Sequence, residues 1–287
     1  MLFATWNVNS LRVRLPQVLD WLRANPVDVL ALQETKLPDA STSTLADAIA
    51  AAGYASSFFG QPHYNGVALF SRLPMRDVVH NIPSFDDDNA RVISATIGPC
   101  TAPLINLNDS GCGVRVVCAY FPNGQEPASS QFAYKLAWMK ALRQWLQDEL
   151  LAHPALVLMG DCNVTFDDDD VWDPQSAQIG CTAPERDALH DLVSLGLRDA
   201  FRRFAQPPHS YSWWDYRGGS FRRNQGMRID HILVSDALAP TVRRCWIDTA
   251  PRRNERPSDH APVVVELEPG ALHCISSATA PIPASCG

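Results

Sequence analysis

The sequence has 287 residues, of which 46% are hydrophobic, and a formal net charge of −7. This length allows one large domain with a substantial core, and no linker divides residues 1–268, which we expect to form that domain. The acidic balance argues against indiscriminate polyanion binding but not against a local site. Only three of the 24 basic residues are lysine, so most positive charge is arginine, which suits bidentate phosphate contact.

The N-terminus lacks a basic region followed by a long apolar segment, and no apolar run reaches about 18 residues. The eight cysteines show neither CxxC pairing nor zinc-ligand spacing. We therefore expect a soluble, cytoplasmic protein with free thiols. A bridge between Cys100 and Cys112 is the alternative in an oxidising compartment.

Short apolar runs and helical periods alternate along the chain. Strands are predicted at residues 2–6, 29–32, 55–59, 67–71, 91–97, 114–119, 155–159, 211–217, 227–234, 242–247 and 263–267. Helices are predicted at 14–25, 44–52, 131–151 and 185–195. Pro16 lies near the start of the first helix, and Tyr64-Asn65-Gly66 resembles a tight hairpin turn.

Three segments have no such period. Residues 98–113 are rich in Gly, Pro, Asn and Ser and are interpreted as a surface loop, and residues 269–287 as a disordered tail. The acidic run 167–170 is interpreted as a solvated loop, because four consecutive residues cannot all face one ion.

The stretch from Ala155 to Asn163 organises the rest. Five apolar residues predict a strand covered on both sides, and Gly160 is expected to let the backbone leave the sheet. Asp161 and Asn163 then share a face, because side chains in extended backbone repeat every second residue. An ordinary turn after a strand is the alternative interpretation.

Polar residues recur at predicted strand ends, which suggests one convergent cleft. They are Asn7, Glu34, Tyr120, Asp161, Asn163, Asp230, Asp259 and His260. Carboxylate and amide oxygens predominate, a composition that suits the hard ion Mg²⁺. Taken singly, four of these residues have a purely structural explanation. Glu34 could cap a helix, Asp230 could pair with Arg228, and His260 and Tyr120 could be core residues.

Seven motifs in order give a specific resemblance: WNVNSLR (6–12), LQETK (32–36), AYFPNGQ (119–125), GDCN (160–163), WWDYR (213–217), RIDHIL (228–233) and PSDHAP (257–262). They resemble the exonuclease III family of apurinic/apyrimidinic endonucleases, within the endonuclease/exonuclease/phosphatase superfamily. The resemblance extends from residue 1 to about residue 268. It implies a four-layer α/β sandwich, in which two mixed β-sheets pack face to face with helices outside.

The resemblance also implies roles for the strand-end residues. Glu34 resembles the principal Mg²⁺ ligand, with Asn7 and Asp259 close to the metal and Mn²⁺ as a substitute ion. Asp161 resembles the residue that orients and deprotonates the attacking water, and Asn163 its neighbour, so both adjoin the metal. His260, oriented by Asp230, resembles the histidine that binds the scissile phosphate, and Tyr120 the phenol beside the transition state.

The implied substrate is double-stranded DNA with abasic sites or 3′ ends, cut by a monomer 5′ to the abasic site with 3′ trimming as a secondary activity. Arg91 and the basic groups between 217 and 228 are the expected DNA contacts. Trp213, Trp214 and Met227 resemble the apolar pocket for a flipped-out abasic sugar, although alternation lets only one tryptophan face the cleft unless the chain bulges. The alternatives are a relative that cleaves RNA or another phosphodiester, and a DNA-binding protein that has lost catalysis.

Overall fold

A computed structural model describes residues 1–98, 113–176 and 179–268. Twelve strands lie in these ranges: β1 (Leu2–Asn7), β2 (Val29–Gln33), β3 (Ala55–Phe59), β4 (Val67–Ser71), β5 (Met75–His80), β6 (Val92–Ile97), β7 (Val114–Tyr120), β8 (Leu156–Asp161), β9 (Leu197–Asp199), β10 (Asp230–Ser235), β11 (Val242–Ile247) and β12 (Val263–Leu267). The α-helices there are α1 (Leu11–Ala24), α2 (Ser43–Ala51), α3 (Ser130–Ala152) and α4 (Ala183–Val193).

The strands form two mixed sheets of six strands each. The first sheet has the order β11-β12-β1-β2-β4-β3, and the second sheet has the order β5-β6-β7-β8-β10-β9. Each contains one parallel pair, β1 with β2 and β7 with β8. A helix crosses over between the strands of each pair, α1 in the first sheet and α3 in the second, because parallel neighbours cannot be joined by a short turn.

Alternation along the strands separates a central core from two outer cores. Phe3 and Val157 belong to the core between the sheets, whereas Trp6 packs with α1 and Leu158 packs with Trp138 of α3. The inner strands, such as β2, β4, β7 and β8, are buried on both faces because each sheet is covered by the other sheet on one side and by helices on the other. The predicted four-layer sandwich is confirmed.

Two local predictions near the N-terminus were wrong in detail. Helix α1 begins at Leu11, so Pro16 lies inside it and removes one backbone donor there. The predicted tight turn is instead a connection spanning residues 60–66, because Phe59 pairs with Val67 across the two strands.

The aromatic segment 211–217 is not a regular strand, contrary to the sequence prediction. Within it Trp213 forms single bridges with Met227 on one side and His260 on the other. Strand β10 accordingly begins at Asp230 rather than at residue 227. Strands β5 and β9 were not predicted, because β5 is largely exposed and β9 has only three residues.

The acidic run is only partly solvated. Asp170 is 4% exposed, and its carboxylate accepts hydrogen bonds from Arg228 Nε at 2.7 Å and Nη2 at 3.0 Å. The sequence prediction of a solvated loop therefore fails at this residue. A carboxylate that enters the interior requires a partner of this kind.

Most of the loop predicted at 98–113 (residues 99–112), the tail at 269–287 and the pair Cys100 and Cys112 lie outside the described residues. Cys118, Cys162, Cys181 and Cys245 are free thiols. Within residues 1–98, 113–176 and 179–268, no helix is both long and apolar enough to cross a membrane.

We expect that replacing residues 99–112 by a two-residue turn leaves the fold intact. Ile97 and Val114, which flank the segment, are already antiparallel partners, and loop closure entropy changes slowly with length. Thermal unfolding should show a Tm within about 4 °C of the parent protein, a change of roughly 1 kcal/mol or less.

The matched control is a similar shortening of residues 60–66. Asn65 in that connection accepts a hydrogen bond from the Lys36 backbone at 3.0 Å, so its loss should lower the Tm clearly. A collapse of the transition in the first variant would mean that the segment 99–112 packs into the core.

Candidate active site

The polar strand-end residues meet at one edge of the sandwich for a topological reason. In each sheet the two parallel strands end at the same edge, which brings Asn7 beside the segment after β2, and Tyr120 beside Asp161. The strands antiparallel to them begin at that edge, so Asp230 pairs with Asp161 and His260 lies just before β12. The predicted convergence is therefore present.

Asn7 connects two carboxylates from different sheets. Its Nδ2 donates to Glu34 Oε1 at 2.8 Å and to Asp161 Oδ2 at 2.9 Å. The backbone N–H of Asn9 donates to Asn7 Oδ1 at 3.0 Å, which favours this orientation of the amide. Thus the nitrogen of Asn7, rather than its oxygen, faces the two carboxylates.

Glu34 is held on three sides. Besides Asn7, the hydroxyl of Tyr120 donates to Glu34 Oε1 at 3.1 Å, and Lys36 Nζ lies 2.8 Å from Oε2. Its backbone has a left-handed φ of 52°, which turns the chain sharply after β2. Burial, followed by the charges of Glu34 and Asp161, raises the pKa of Tyr120 well above its usual range, so the phenol is neutral and donates.

His260 lies between two aspartates. Its Nδ1 is 2.9 Å from Asp230 Oδ2, and its Nε2 is 3.7 Å from Asp161 Oδ2. Burial lowers the pKa of His260, but the charges of Asp230 and Asp161 outweigh it and raise the value to about 10. The imidazole is therefore protonated near neutral pH, with Nε2 available as a donor.

Asp161 is 1% exposed at the end of β8. Burial raises its pKa to about 7, although His260 opposes the shift and Asp230 adds to it. A carboxylate with a pKa near working pH is a more effective proton acceptor than an ordinary one.

Asn163 is held by the carboxylate of Asp161 and by a backbone carbonyl of the segment after β7. Its N–H donates to Asp161 Oδ1 at 3.0 Å, and its Nδ2 donates to the Phe121 carbonyl at 3.0 Å. A left-handed φ of 49° shows that the extended alternation assumed for Asp161 and Asn163 does not continue through this residue. Gly160 lies within β8 rather than at its exit, and a Cβ there would lie 1.8 Å from the Ala119 carbonyl oxygen.

Asp259 lies beside this cluster. Trp213 Nε1 donates to its Oδ2 at 3.1 Å, and Asn9 Nδ2 donates to its Oδ1 at 3.0 Å. Burial alone would raise the pKa of Asp259, but the charge of His260 and these hydrogen bonds lower it overall, so the group stays ionised.

The residues predicted to face DNA differ in how exposed they are and in whether they line the cleft. Arg91 is half-buried over the ring of Tyr120, with its Nε donating to the Tyr134 hydroxyl at 3.2 Å. Met227 is partly exposed next to Trp213. Trp214 is 2% exposed and packs edge-on against Phe221, so the structure does not bring it into the cleft with Trp213.

A cavity of about 220 Å³ adjoins the cluster through Trp213. Its apolar walls include Met227 and Trp172, a side chain that is 48% exposed. The predicted DNA contact at Arg228 needs correction, because Arg228 is buried and binds Asp170 and Asp199 instead.

The donor set fits a hard cation. Ligand atoms of Glu34, Asp161 and His260 all lie within 4.8 Å of one another. The two carboxylates come from different sheets and are brought together by Asn7, and paired carboxylate oxygens are what a divalent hard ion requires. His260 is engaged by Asp230 and protonated, so it is a poor ligand in this arrangement.

Three residues at the site were not singled out from the sequence. Lys36 Nζ also donates to Asn9 Oδ1 at 2.7 Å, which joins the segments after β1 and β2. Asn123 Nδ2 lies 3.3 Å from Asn163 Oδ1. Lys36 and Asn9 each follow a predicted site residue by two positions, but both have a left-handed φ, so alternation along a strand would not have identified them.

Comparisons with known proteins agree with this geometry. Residues 4–260 match the model of the Endonuclease/Exonuclease/phosphatase family. The exodeoxyribonuclease III of Haemophilus influenzae is 30% identical over 285 residues, which cover 93% of this chain and 100% of that protein.

Two solved structures are similar along nearly the whole chain. One is the Neisseria protein NExo, which is described as a 3′-5′ exonuclease in one structure and as a 3′ phosphatase bound to a product DNA hairpin in another. In the hairpin complex NExo is 42% identical to this chain with a TM-score of 0.86, and the match covers 93% of this chain and 99% of NExo. The other is an AP endonuclease from Archaeoglobus fulgidus, 32% identical with a TM-score of 0.84, covering 93% and 99%.

A sandwich of this type, with paired carboxylates and an aspartate-bound histidine at one edge, is that of a phosphodiester hydrolase. The chain belongs to the Endonuclease/Exonuclease/phosphatase family and, within it, to the group of exodeoxyribonuclease III and the AP endonucleases.

We expect the protein, kept metal-free by a chelator, to lose stability as the pH rises from about 6.5 to about 10. Folding raises the pKa of His260, because the nearby aspartates favour the protonated imidazole. Its protonation therefore stabilises the folded state fully at a pH below the pKa of histidine in the unfolded chain, and this stabilisation is lost as the pH rises through the pKa in the folded state. Urea unfolding measured at about pH 6.5, 8 and 9.5 gives the free energy of unfolding at each pH. Between the lowest and the highest pH, this free energy should fall less in His260→Gln than in the parent protein, by more than about 1 kcal/mol.

The exposed His209 supplies the control. His209→Gln should keep the pH dependence of the parent protein. Parallel stability curves for His260→Gln and the parent would contradict the raised pKa of His260.

Proposed function

We propose that the protein is a Mg²⁺-dependent DNA repair nuclease that cleaves the phosphodiester 5′ to abasic sites and trims 3′ ends. The observation that supports this most directly is the Asn7 amide bridging Glu34 and Asp161, beside a histidine fixed by Asp230. It combines a place for a cation, a proton acceptor and a cationic donor in one cluster.

Each group has a task in phosphodiester hydrolysis. Asp161 accepts a proton from the attacking water, while Asn163 holds that water or the phosphate in line. The protonated Nε2 of His260 donates to a phosphoryl oxygen, where negative charge grows in the transition state. Glu34 and Asp161 would hold Mg²⁺, with Mn²⁺ as a substitute, and the ion would supply neutralisation of the negative charge that develops in the transition state.

DNA must be held by a local positive surface, because the net charge is −7. Arg217, Arg222 and Arg223 are exposed in the segment between Trp213 and Met227. Arg91 lies over the ring of Tyr120. These four arginines are the proposed phosphate contacts, and each such contact makes binding sensitive to salt.

Selection of an abasic site is assigned to the 220 Å³ cavity beside Trp213. A nucleotide without its base has lost its stacking and pairing and is cheaper to flip out of the duplex. Trp213 and Met227 form the apolar wall nearest the catalytic cluster, because Trp213 also contacts Asp259. The buried Trp214 packs against Phe221 instead and does not line this cavity.

A second candidate keeps the chemistry and changes the preferred substrate. The 42% identity to NExo, described as a 3′ phosphatase and 3′-5′ exonuclease, favours 3′ ends over internal abasic sites. Three labelled duplexes distinguish the two: one with an abasic site, one with a 3′-phosphate and one with a recessed 3′-hydroxyl. Preferred cleavage of the abasic duplex supports the first candidate.

Removal of metal should abolish cleavage of these duplexes, and Mg²⁺ should restore it. Asp161→Asn keeps the side-chain shape but removes the proton acceptor, so kcat should fall by about 10²-fold or more with DNA affinity little changed. Asp169→Asn is a matched control on an exposed aspartate of the acidic run. Full activity after exhaustive chelation, or an Asp161→Asn variant within a few-fold of the parent, would refute the assignment.

Trp213→Ala and Met227→Ala should lower the ratio of kcat/KM on abasic duplex to kcat/KM on intact duplex, because each widens the cavity. Trp214→Ala should act mainly on stability, since the side chain is buried outside the cleft. Ratios within about twofold of the parent for both cavity variants, under roughly 0.5 kcal/mol, would show that this cavity does not select the substrate.

A further inference from the structure

A buried ion pair lies directly behind the catalytic cluster. Lys135 of α3 and Glu185 of α4 are both 0% exposed, and Lys135 Nζ lies 2.5 Å from Glu185 Oε1. Neither residue faces the cleft or belongs to the catalytic set. A buried pair of this kind contributes little net stability in general, because removing two charges from water offsets their attraction.

The two remaining N–H donors of Lys135 bind backbone carbonyls at the site. Its Nζ donates to the Asn163 carbonyl at 2.9 Å and to the Asn123 carbonyl at 3.1 Å. An ammonium group has three N–H donors, and here all three are used. One charged group therefore connects the loop after β7, the loop after β8 and the first turn of α4.

The Lys135 contact also bears on the backbone conformation of Asn163. Its left-handed φ of 49° lies in a region that asparagine tolerates better than most residues with a side chain, and the surrounding contacts select this conformation. The same residue binds Asp161 through its N–H and Phe121 through its amide. A shift of its carbonyl would therefore move the groups that orient the water beside Asp161.

Glu185 is fixed as firmly as its partner. Its Oε1 accepts from the Gly180 N–H at 3.2 Å, and its Oε2 accepts from Thr182 N at 3.1 Å and Thr182 Oγ1 at 2.7 Å in a capping box. On the other side, Gly124 passes so close to the Lys135 stem that a Cβ there would lie 2.6 Å from Cδ. The ammonium group is thus confined to one position.

We infer that Lys135, oriented by Glu185, is a positioning residue for catalysis that fixes Asn163 and Asn123 relative to Asp161. Its ammonium charge stays buried and does not reach the substrate. It acts through two backbone carbonyls, so its loss should slow the chemical step without weakening substrate binding. The inference rests on the proposed function for the identity of the DNA substrate and for the roles of Asp161 and Asn163.

The test compares Lys135→Met with the double variant Lys135→Met/Glu185→Gln, which removes both buried charges and so avoids an unpaired carboxylate. We expect kcat to fall at least tenfold in both variants with KM within about twofold of the parent. A purely structural ion pair predicts instead that the double variant recovers kcat together with stability.

The chain provides a matched control at the far end of β7. Arg115 is 2% exposed and its Nε lies 2.6 Å from Glu149 Oε2 on α3, but it touches no site residue. Arg115→Met should lower the Tm while kcat stays within about twofold of the parent, when all assays are run below the unfolding transition. This separates general destabilisation from loss of positioning.

A double-mutant cycle with Asn163→Ala tests the route of the effect. If Lys135 acts through Asn163, Lys135→Met should reduce kcat less than twofold further in the Asn163→Ala background. An equal loss in both backgrounds, or a Lys135→Met/Glu185→Gln variant with parental kcat, would overturn the inference.

Assays on bis(4-nitrophenyl) phosphate, a small diester, are run in parallel with the same variants. If the parent protein cleaves this diester but none of the three duplexes, the proposed DNA substrate is wrong, while the role of Lys135 is still tested on the diester.

Discussion

The site depends on how the two sheets are held against each other at one edge. Three hydrogen-bonded pairs cross from one sheet to the other there: Asn7 with Asp161, Tyr120 with Glu34, and His260 with Asp230. The register between the sheets is fixed by the central core, because close-packed interiors resist sliding. Catalytic distances of about 3 Å therefore follow from apolar packing some distance from the chemistry.

The charges at this edge are balanced rather than simply concentrated. Glu34, Asp161, Asp230 and Asp259 would repel one another in a buried site if all were ionised and unpaired. The protonated imidazole of His260 and the side chain of Lys36 partly offset them, and Glu34 and Asp161 lie close enough together to share a further cation. A divalent cation would complete the balance at that point, which is why a metal and a protonated histidine can coexist in one cluster.

The sequence predicted the parts of the site that follow from strand ends and motifs, and failed where distant segments decide the outcome. Asn7, Glu34 and Asp161 were found because an apolar run ending in a polar residue is a local pattern. The partner of Arg228 was not, because Asp170 is 58 positions away and only the fold brings the two together. The burial of Trp214 and the contacts of Lys135 likewise depend on packing between segments that no periodicity encodes.

The proposed substrate cavity and the proposed catalytic residues are connected through the backbone. Single β-bridges join His260 to Trp213, Trp213 to Met227, and Met227 to Val171, so a short irregular ladder extends from His260 to Val171 in the wall of the 220 Å³ cavity. The regular sheets end before this ladder begins. The segments 166–176 and 213–227 therefore lie outside the two regular sheets, so a change within them need not alter the contacts between the sheets at the edge.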